Sequence, residues 1–396
     1  MSQVKDLIDK IDDELMKKQY EATKEVIDIV GKFIKRKQLI IYGGFAINLL
    51  LSKKNKFYKE YTINDYDCFS SNAKEDAKEL AQLLQSKGFQ YIKIRKAIHE
   101  STFKVFVDFM AVIDITQIKQ ESFDSFKSIS KQEQKTSLYK HYNDDYLLAP
   151  FSFLMSNMHY ELARPLSSYY RWEKIYRRQS VLAKLIKTSK KDNTKNSLSQ
   201  SYDKKLMKYV IDYIKNRKYA IINEFALKYH GFNNFDTNEI SILSIDIDKT
   251  KKDFDSYMKT NSQNYKIIVE HNNVSNALIY DNYKFTIINK ETDERIILNI
   301  MDASKDCLSI VSKKNINVGS MNTIMYFMYR KYLLQQISGN INPKLWENIK
   351  YIEYNVQEKM ISNPKNLLST TCYGINQSLK DMLASKWRKK QTLMYF

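Results

Sequence analysis

Long hydrophobic runs are missing from this sequence. No apolar run approaches the roughly 20 residues that a membrane-spanning helix requires. The first residues, Met1–Asp6, carry no hydrophobic region of the kind that a secretory signal peptide has. We therefore expect a soluble, unsecreted protein that does not contact a membrane.

Cysteine and histidine are scarce, and their spacing does not favour metal binding. The three cysteines, Cys68, Cys307 and Cys372, lie far apart and form no Cys-x-x-Cys motif. This spacing predicts neither a disulfide framework nor a zinc site, and it fits a reducing compartment. The five histidines are likewise scattered without ligand spacing. Neither a GxxxxGK(S/T) phosphate loop nor a GxSxG nucleophile motif is present.

Positive charge is what the chain has in excess. The 396 residues carry a formal net charge of +19, and 43% of them are hydrophobic. The length predicts about two to three domains, and the hydrophobic content excludes a wholly disordered chain. This excess of basic over acidic residues indicates a polyanionic partner such as nucleic acid. A general enrichment in lysine, asparagine and tyrosine, as an AT-biased genome would produce, explains the charge equally well at this point.

A strand that ends in two glycines and a later pair of aspartates organise the N-terminal part of the chain. The apolar residues 39–42 predict a short buried strand, and Gly43 and Gly44 predict a tight turn into a helix. Free N–H groups at such a helix start can bind phosphate, although an ordinary strand–helix turn has the same pattern. A following strand carries Asp65 and Asp67, whose i, i+2 spacing places both side chains on one side.

A third acid, Asp108, interrupts the apolar run from Lys104 to Val112, which predicts one strand. A salt bridge or a water-facing position would accommodate this acid, but its apolar neighbours argue against a solvated face. An ionised acid in such surroundings needs a partner, because burying an unpaired charge is expensive. Three convergent carboxylates repel one another unless they hold two divalent cations, about 3.5–4 Å apart, on a polyphosphate. The pattern therefore predicts nucleotidyl transfer with Asp65, Asp67 and Asp108 as metal ligands.

The periodicity of the apolar residues predicts an α+β fold in several parts. Residues 1–36 predict an amphipathic N-terminal helix, and residues 37–150 predict a mixed sheet with helices, which is the candidate catalytic domain. Residues 151–200 predict a helical spine that ends in a linker, because the stretch from 188 to 201 is rich in lysine, asparagine and serine. Residues 201–396 predict a second α+β domain with terminal helices.

One helix of the spine concentrates basic residues. Arg171, Lys174 and Arg178 recur at i, i+3 and i+7 and predict a basic stripe along that helix. Tyr170 and Trp172 flank the stripe. Basic residues with interleaved aromatic rings suit phosphates and stacked bases. A solvated helix face with core aromatic residues on the other side has the same pattern.

The second α+β domain looks like a faded copy of the first. Residues 217–227 align with residues 37–47 at a constant offset. The alignment replaces the glycine pair by Asn223 and Glu224, the paired acids by Ile245 and Ile247, and the third acid by Asn299. We interpret this as a repeated fold whose second copy has lost its chemistry.

Together these motifs resemble a known family. Gly43-Gly44, the Asp65-Tyr66-Asp67 run and a distal apolar strand with an aspartate resemble the DNA polymerase β-type nucleotidyltransferase superfamily. More narrowly, the chain is similar to the poly(A) polymerase catalytic subunit of large cytoplasmic DNA viruses, of the poxvirus and giant-virus type. The narrower resemblance rests on the long gap before Asp65, on the helix pair with residues 161–165 and 170–174, and on the acid-free second copy.

The resemblance implies a polymerase β-like nucleotidyltransferase domain, a helical spine and a degenerate nucleotidyltransferase-like domain. It implies template-independent transfer of AMP from ATP to an RNA 3′-hydroxyl, with release of pyrophosphate and with Mg²⁺ or Mn²⁺ as the metal. The implied site residues are Asp65, Asp67 and Asp108 at the metals, Gly43, Gly44, Arg171 and Lys174 at the nucleotide, and Arg164 and Arg178 at the RNA. The implied partners are the 3′ end of mRNA and either a second copy of the chain or a viral processivity subunit. The implied location is the host cytoplasm, a viral factory or the virion.

Two other functions fit the same residues. A CCA-adding or small-substrate nucleotidyltransferase would use the same acids on a different acceptor. A catalytically silent RNA-binding scaffold would need none of them. The first copy has all three acids, which argues against the silent scaffold. The second copy, in which the alignment replaces all three acids, shows the pattern expected of a domain that has lost catalysis.

Overall fold

The chain folds into two compact units. The computed structural model describes residues 2–58, 61–63, 66–97, 101–186, 202–232, 235, 237–260, 262–272, 281–359, 368–375 and 393–395. One unit holds residues 1–154 together with a C-terminal strand, and the other holds residues 155–382. No helix in this described part of the chain is both long enough and apolar enough to cross a membrane.

The first unit is built on a seven-stranded mixed sheet. Its helices are α1 (Ser2–Lys37), α2 (Gly43–Leu50), α3 (Ala73–Ser86), α4 (Gln120–Glu133) and the start of α5 (Phe151–Leu162). Its strands are β1 (Ile40–Tyr42), β2 (Tyr66–Ser70), β3 (Lys93–Lys96), β4 (Thr102–Val107), β5 (Met110–Gln117), β6 (Leu147–Leu148) and β15 (Leu393–Tyr395). The strand order is β15-β3-β4-β5-β2-β1-β6. The β2–β5 and β1–β6 pairs are parallel, and the other neighbours are antiparallel.

The two faces of this sheet differ in polarity, and the difference positions the candidate site. On β4, Phe103, Val105 and Val107 are buried and lie on the face that α3 covers. The residues between them, Lys104 and Phe106, are only half-buried and point to the opposite face, because successive side chains of a strand alternate. The polar side chains of the sheet therefore collect on the face away from α3.

Helix α1 is packed along only part of its length. The predicted helix is confirmed, and apolar side chains of its second half, such as Val30, Phe33 and Ile34, are buried. Apolar residues of the first half, including Leu7 and Ile11, are exposed instead.

The second unit contains an eight-stranded mixed sheet. Its helices after α5 are α6 (Pro165–Ser168), α7 (Trp172–Ala183), α8 (Lys204–Asn216), α9 (Ile247–Lys259), α10 (Met321–Ser338) and α11 (Pro343–Lys359). Its strands are β7 (Ala220–Ile221), β8 (Glu239–Ser244), β9 (Tyr265–Asn272), β10 (Asn282–Asn289), β11 (Arg295–Asp302), β12 (Cys307–Lys313), β13 (Ile316–Gly319) and β14 (Cys372–Gly374). The order is β14-β12-β13-β7-β8-β11-β10-β9.

The predicted repeat is confirmed by the sheet topology. The six strands β6-β1-β2-β5-β4-β3 of the first unit recur as β13-β7-β8-β11-β10-β9 in the second, with the same parallel and antiparallel neighbours. The predicted register inside the repeat is wrong, however. Ile245 follows the end of β8 and Ile247 begins α9, so neither residue stands where the first copy carries its paired acids.

The prediction that the cysteines form no disulfide is also wrong. Cys307 and Cys372 are joined by a disulfide whose Cα atoms are 5.3 Å apart. Antiparallel pairing of β14 with β12 brings the two residues together although 65 positions separate them in the sequence. Such a pairing has no local sequence pattern, which is why spacing did not reveal it. Cys68 is buried and free. The predicted linker over 188–201 lies outside the described residues, and the finer domain boundaries stay a prediction.

We predict that reducing this disulfide destabilises the second unit by about 2–4 kcal/mol, because the bond closes a long loop of the unfolded chain. Chemical denaturation with and without reductant measures the change. A Cys307→Ser/Cys372→Ser double variant is the control, since its stability should not respond to reductant. Equal stability of the oxidised and reduced wild type would contradict the assignment.

Candidate functional site

The glycine turn lies directly against one of the predicted acids. Strand β1 ends at Tyr42, which pairs with Asp67 on β2, and α2 begins at Gly43. Gly43 has a φ of +72°, which favours glycine. A Cβ atom at this position would lie 2.5 Å from Oδ2 of Asp67. The missing side chain therefore makes room for the Asp67 carboxylate.

Asp67 has a second carboxylate beside it, on the neighbouring strand. In the parallel pair of β2 and β5, the Cα partner of Asp67 is Asp114, and paired strands are about 4.8 Å apart. Burial is the main cause that raises the pKa of Tyr42, and the charges of Asp67 and Asp114 raise it further. The same three causes raise the pKa of the Cys68 thiol. Two negative charges thus act together on the groups around this point of the sheet.

The row of charges continues across the sheet with two basic residues. Lys104 on β4 is the Cα partner of Asp114, and its Nζ forms an ion pair with Oδ2 of Asp114. Arg95 on β3 is in turn the partner of Lys104. Two acids are therefore followed by two bases on consecutive strands. The lysine partly offsets the repulsion that two adjacent carboxylates would otherwise suffer.

Asp108 does not stand in a strand, so its predicted placement is wrong. The apolar run from 104 to 112 folds as two strands, β4 and β5, joined by a turn at Asp108 and Phe109. Both turn residues have positive φ, +47° and +69°, and both are exposed. A two-residue hairpin requires such angles, but asparagine or glycine usually marks it. The acid that the fold brings beside Asp67 is Asp114, which the sequence reasoning missed.

Of the two paired acids that the sequence predicted, the structure describes only Asp67. Asp65 lies outside the described residues, as does Asn64 before it. Within the part of the chain that the structure covers, no three His, Cys, Asp or Glu side chains group closely enough to hold a metal ion. The described site therefore consists of Asp67, Asp114 and the Gly43 turn, with Lys104 as the neighbouring cation.

Comparison with known proteins finds a family that resembles the part of the chain that carries this site. Residues 28–168 match the family model described as poly(A) polymerase catalytic subunit. This segment contains the glycine turn and both described acids. Residues 28–168 are thus similar to the poly(A) polymerase catalytic subunits.

Individual relatives also resemble part of the chain. A protein of African swine fever virus (a Kenyan pig isolate) that is named as a poly(A) polymerase catalytic subunit is 39% identical over 110 residues, which are 28% of this chain and 23% of the relative. The namesake of Acanthamoeba polyphaga mimivirus is 30% identical over 107 residues, 26% of this chain and 18% of the relative. The match thus spans less than a quarter of these curated relatives.

Similarity of fold to a solved structure extends over a much longer part of the chain than the sequence similarity to these relatives. The crystal structure of the Megavirus polyadenylate synthase superposes with a TM-score of 0.75 at 19% identity, covering 100% of this chain and 85% of that one. At this identity the likeness concerns the fold alone. It agrees with the predicted α+β class with two mixed sheets.

The basic residues predicted for nucleotide and RNA lie in the second unit, and they do not form one exposed stripe. Arg171 and Lys174 are exposed, whereas Arg178 is only 8% exposed. A buried side chain is not available to RNA, so the structure does not support Arg178 on the stripe. Arg164 is 3.7 Å from Asp306 and 3.6 Å from Glu161, and Arg171 is 3.3 Å from Glu161.

We predict that Gly43→Ala displaces the Asp67 carboxylate, because the new methyl group would overlap Oδ2. The backbone strain of an alanine at positive φ costs about 1–2 kcal/mol in stability. Gly88→Ala is the matched control, since Gly88 has a φ of +90° and a Cβ atom added there would meet nothing within 4 Å. Thermal unfolding should show similar losses in both variants, and titration with Mn²⁺ should show weakened binding only in Gly43→Ala. Equal Mn²⁺ binding in the two variants would refute this role of Gly43.

We further predict that Lys104→Met strengthens binding of a divalent cation to the acid site by about threefold to tenfold, since it removes a positive charge next to Asp114. Titration with Mn²⁺ followed by electron paramagnetic resonance measures this affinity. Lys96→Met is the control, because Lys96 is exposed and lies one residue beyond Arg95, on the other face of the sheet. Weaker Mn²⁺ binding in Lys104→Met would contradict the expectation.

Proposed function

We propose that the chain transfers AMP from ATP to the 3′-hydroxyl of RNA, without a template and with release of pyrophosphate. The observation that carries this proposal is the adjacency of Asp67 and Asp114 on parallel strands beside the Gly43 turn. The family match over residues 28–168 supports the reaction class.

The described residues fit a divalent cation. Carboxylate oxygens are the ligands that Mg²⁺ prefers, and two of them lie side by side where Gly43 leaves room for one carboxylate. Asp67 and Asp114 would hold the metal, and Asp65 is proposed as a third ligand from its i, i+2 spacing to Asp67. When bound, Mg²⁺ or Mn²⁺ would neutralise phosphate charge and favour ionisation of the attacking hydroxyl.

The protein groups around the acids have separate tasks in this proposal. The side chain of Tyr42, the residue before α2, makes no capping hydrogen bond to the start of the helix. The backbone N–H groups of Gly43 and Gly44 there suit phosphate oxygens of ATP. Asp114 lies between Asp67 and the basic residues Lys104 and Arg95, so it borders the side from which a polyanionic primer would approach. In the reaction, the bond from the 3′-oxygen to the α-phosphorus forms while the bond from that phosphorus to the bridging oxygen of pyrophosphate breaks.

Residues of the second unit complete the proposal. Arg171 and Lys174 are exposed and remain the proposed contacts for the triphosphate or the primer, and Arg164 remains a proposed RNA contact. Processivity would come from a second copy of the chain or from a separate viral subunit, and light scattering distinguishes these two arrangements.

We predict that Asp67→Asn and Asp114→Asn each lower AMP incorporation about 1000-fold or more, which corresponds to roughly 4 kcal/mol of lost transition-state stabilisation. Asp108→Asn is the matched control, because Asp108 lies in the exposed hairpin turn and should keep near-normal activity. Extension of a labelled oligo(A) primer with ATP and Mg²⁺ measures the rates, and filter retention of the primer shows that RNA binding persists.

The same assay separates the other functions. Supplying each NTP alone should give long ladders only with ATP, whereas a CCA-adding enzyme would add cytidine and stop. Full activity of Asp114→Asn together with an inactive Asp108→Asn would overturn the assignment of the acids. Absence of any metal-dependent ATP turnover in the wild type would favour the silent RNA-binding scaffold.

A further inference from the structure

Two exposed aromatic residues lie at the hairpin between β4 and β5, apart from the acids of the candidate site. Phe109, in the turn, is 76% exposed, and Tyr91, which comes before β3, is 65% exposed. Their rings stack with centroids 6.2 Å apart and with planes inclined by 22°. We call these two residues the aromatic pair. Two large rings thus offer most of their surface to solvent.

Basic side chains border the aromatic pair. Nζ of Lys93 lies 5.3 Å from the centroid of the Phe109 ring. Cζ of Arg95 lies 5.2 Å from the centroid of the neighbouring Phe106 ring. Lys93 is the strand partner of Phe106, and partners in an antiparallel pair point to the same side of the sheet. The two cations and the aromatic pair therefore share one face of the sheet.

The same face carries the acids of the candidate site. Arg95 is the strand partner of Lys104, and Lys104 is the partner of Asp114. Lys93 stands two residues before Arg95, which is about 7 Å along β3. Strand β5 begins at the hairpin and runs parallel to β2, so the hairpin lies at the end of the sheet where β2 begins. A polymer that leads away from the acids along this face therefore meets Lys93 and then the aromatic pair.

Folding does not require aromatic residues at this hairpin. Phe109 has a φ of +69° and Tyr91 a φ of +51°, and bulky side chains adopt such angles at a higher cost than asparagine or glycine. The second unit forms the corresponding hairpin, between β10 and β11, from residues 290–294, which are all polar. Its turn residue with positive φ is Asp293. Stability alone therefore does not explain the aromatic pair.

The composition of this surface suits single-stranded nucleic acid. Bases of any identity stack on aromatic rings, while lysine and arginine attract the phosphates between them. The one acid of the turn, Asp108, carries less charge than Lys93 and Arg95 together. A protein partner would have to bury both cations along with the rings, which is costly unless acids meet them. The observations therefore favour an RNA strand over a protein.

We propose that the aromatic pair and Lys93 bind single-stranded RNA, with a base against the rings and a phosphate at the lysine ammonium group. The bound nucleotide lies upstream of the 3′ end that the acids receive. The proposal rests on the proposed function, because that function supplies the RNA and the place of its 3′ end.

Fluorescence anisotropy of a short labelled oligo(A) with the full chain, in EDTA and without ATP, tests the proposal. Phe109→Asn should weaken binding about fivefold or more, because the stacking of a base is lost. The same variant should unfold at an equal or higher temperature, since asparagine adopts positive φ more easily. Weaker binding without loss of stability separates a binding role from a structural one. Phe109→Trp should retain the wild-type affinity, because it keeps a ring for stacking.

A base-free oligonucleotide of the same length separates stacking from charge. Phe109→Asn should leave its affinity unchanged, whereas Lys93→Met should weaken binding of both strands and lower the salt dependence by about one counterion. Lys266→Met is the matched control for charge, because it removes an exposed lysine from β9, the strand that corresponds to β3. Ile341→Asn is the control for exposed apolar surface, since Ile341 is 47% exposed and lies in the second unit. Both controls should bind oligo(A) like the wild type.

Unchanged oligo(A) affinity in Phe109→Asn would overturn the proposal, as would an equal loss of affinity for the base-free strand or a wild type that does not bind oligo(A). If Phe109→Asn instead lowers the mass found by light scattering, the surface binds a second molecule of the chain and the proposal is wrong. Failure of the proposed function is distinguishable, because binding in EDTA requires no catalysis. A chain that binds oligo(A) through Phe109 and transfers no AMP would refute that function and leave this RNA surface in place.

Discussion

Repulsion between two neighbouring carboxylates is the constraint on which the first unit depends. Asp67 and Asp114 are held side by side by the pairing of two strands, so neither can move away without breaking the sheet. At such separations like charges disfavour one another strongly. The fold tolerates them because Lys104 approaches Asp114 from the next strand and because both acids keep partial access to solvent. A site of this kind gains stability whenever a cation binds to it.

The second unit has the same strand order and removes the same repulsion by different means. The residues that pair across its corresponding parallel strands, Ser241 and Asn299, are uncharged, and Glu239, two residues before Ser241, contacts Lys331. A lysine is attached to the chain, whereas a metal ion can exchange with solvent. The second unit therefore does not need a metal to balance its charges, and the space beside its strands is left to apolar residues and amides.

Sequence reasoning located the elements of the fold better than it located the acid site. Alternation and helical periodicity are local properties, and they predicted α1, the glycine turn and the α+β class correctly. The hairpin at Asp108 escaped because an aspartate and a phenylalanine occupy the turn, so that apolar residues continue on both sides of it. Treating Asp108 as a turn residue would have exposed the alternating run from Val112 to Thr116, in which Asp114 is the single acid.

Other errors arose from distances that a sequence does not contain. Tyr42 precedes its strand partner Asp67 by 25 residues, whereas Ile222 precedes its partner Ser241 by only 19. An alignment of the two copies at a constant offset therefore missed Glu239 and Ser241. The pairing of Cys307 with Cys372 depends on a strand that returns from far along the chain. Burial of Arg178 depends on which side of α7 the rest of the second unit covers. Each of these is set by tertiary structure.

The two scales of similarity have a common physical explanation. Sequence similarity to the African swine fever virus protein extends over 28% of the chain, whereas the fold similarity to the Megavirus polyadenylate synthase covers 100% of it. A packed core accepts many combinations of apolar side chains of similar volume. A carboxylate pressed against a turn accepts only aspartate and glycine at those two places, because a Cβ at Gly43 would overlap it and a longer acid would move its oxygens. The close contact of Gly43 with Asp67 therefore restricts the residue types at these two positions of the first unit more tightly than packing restricts the core.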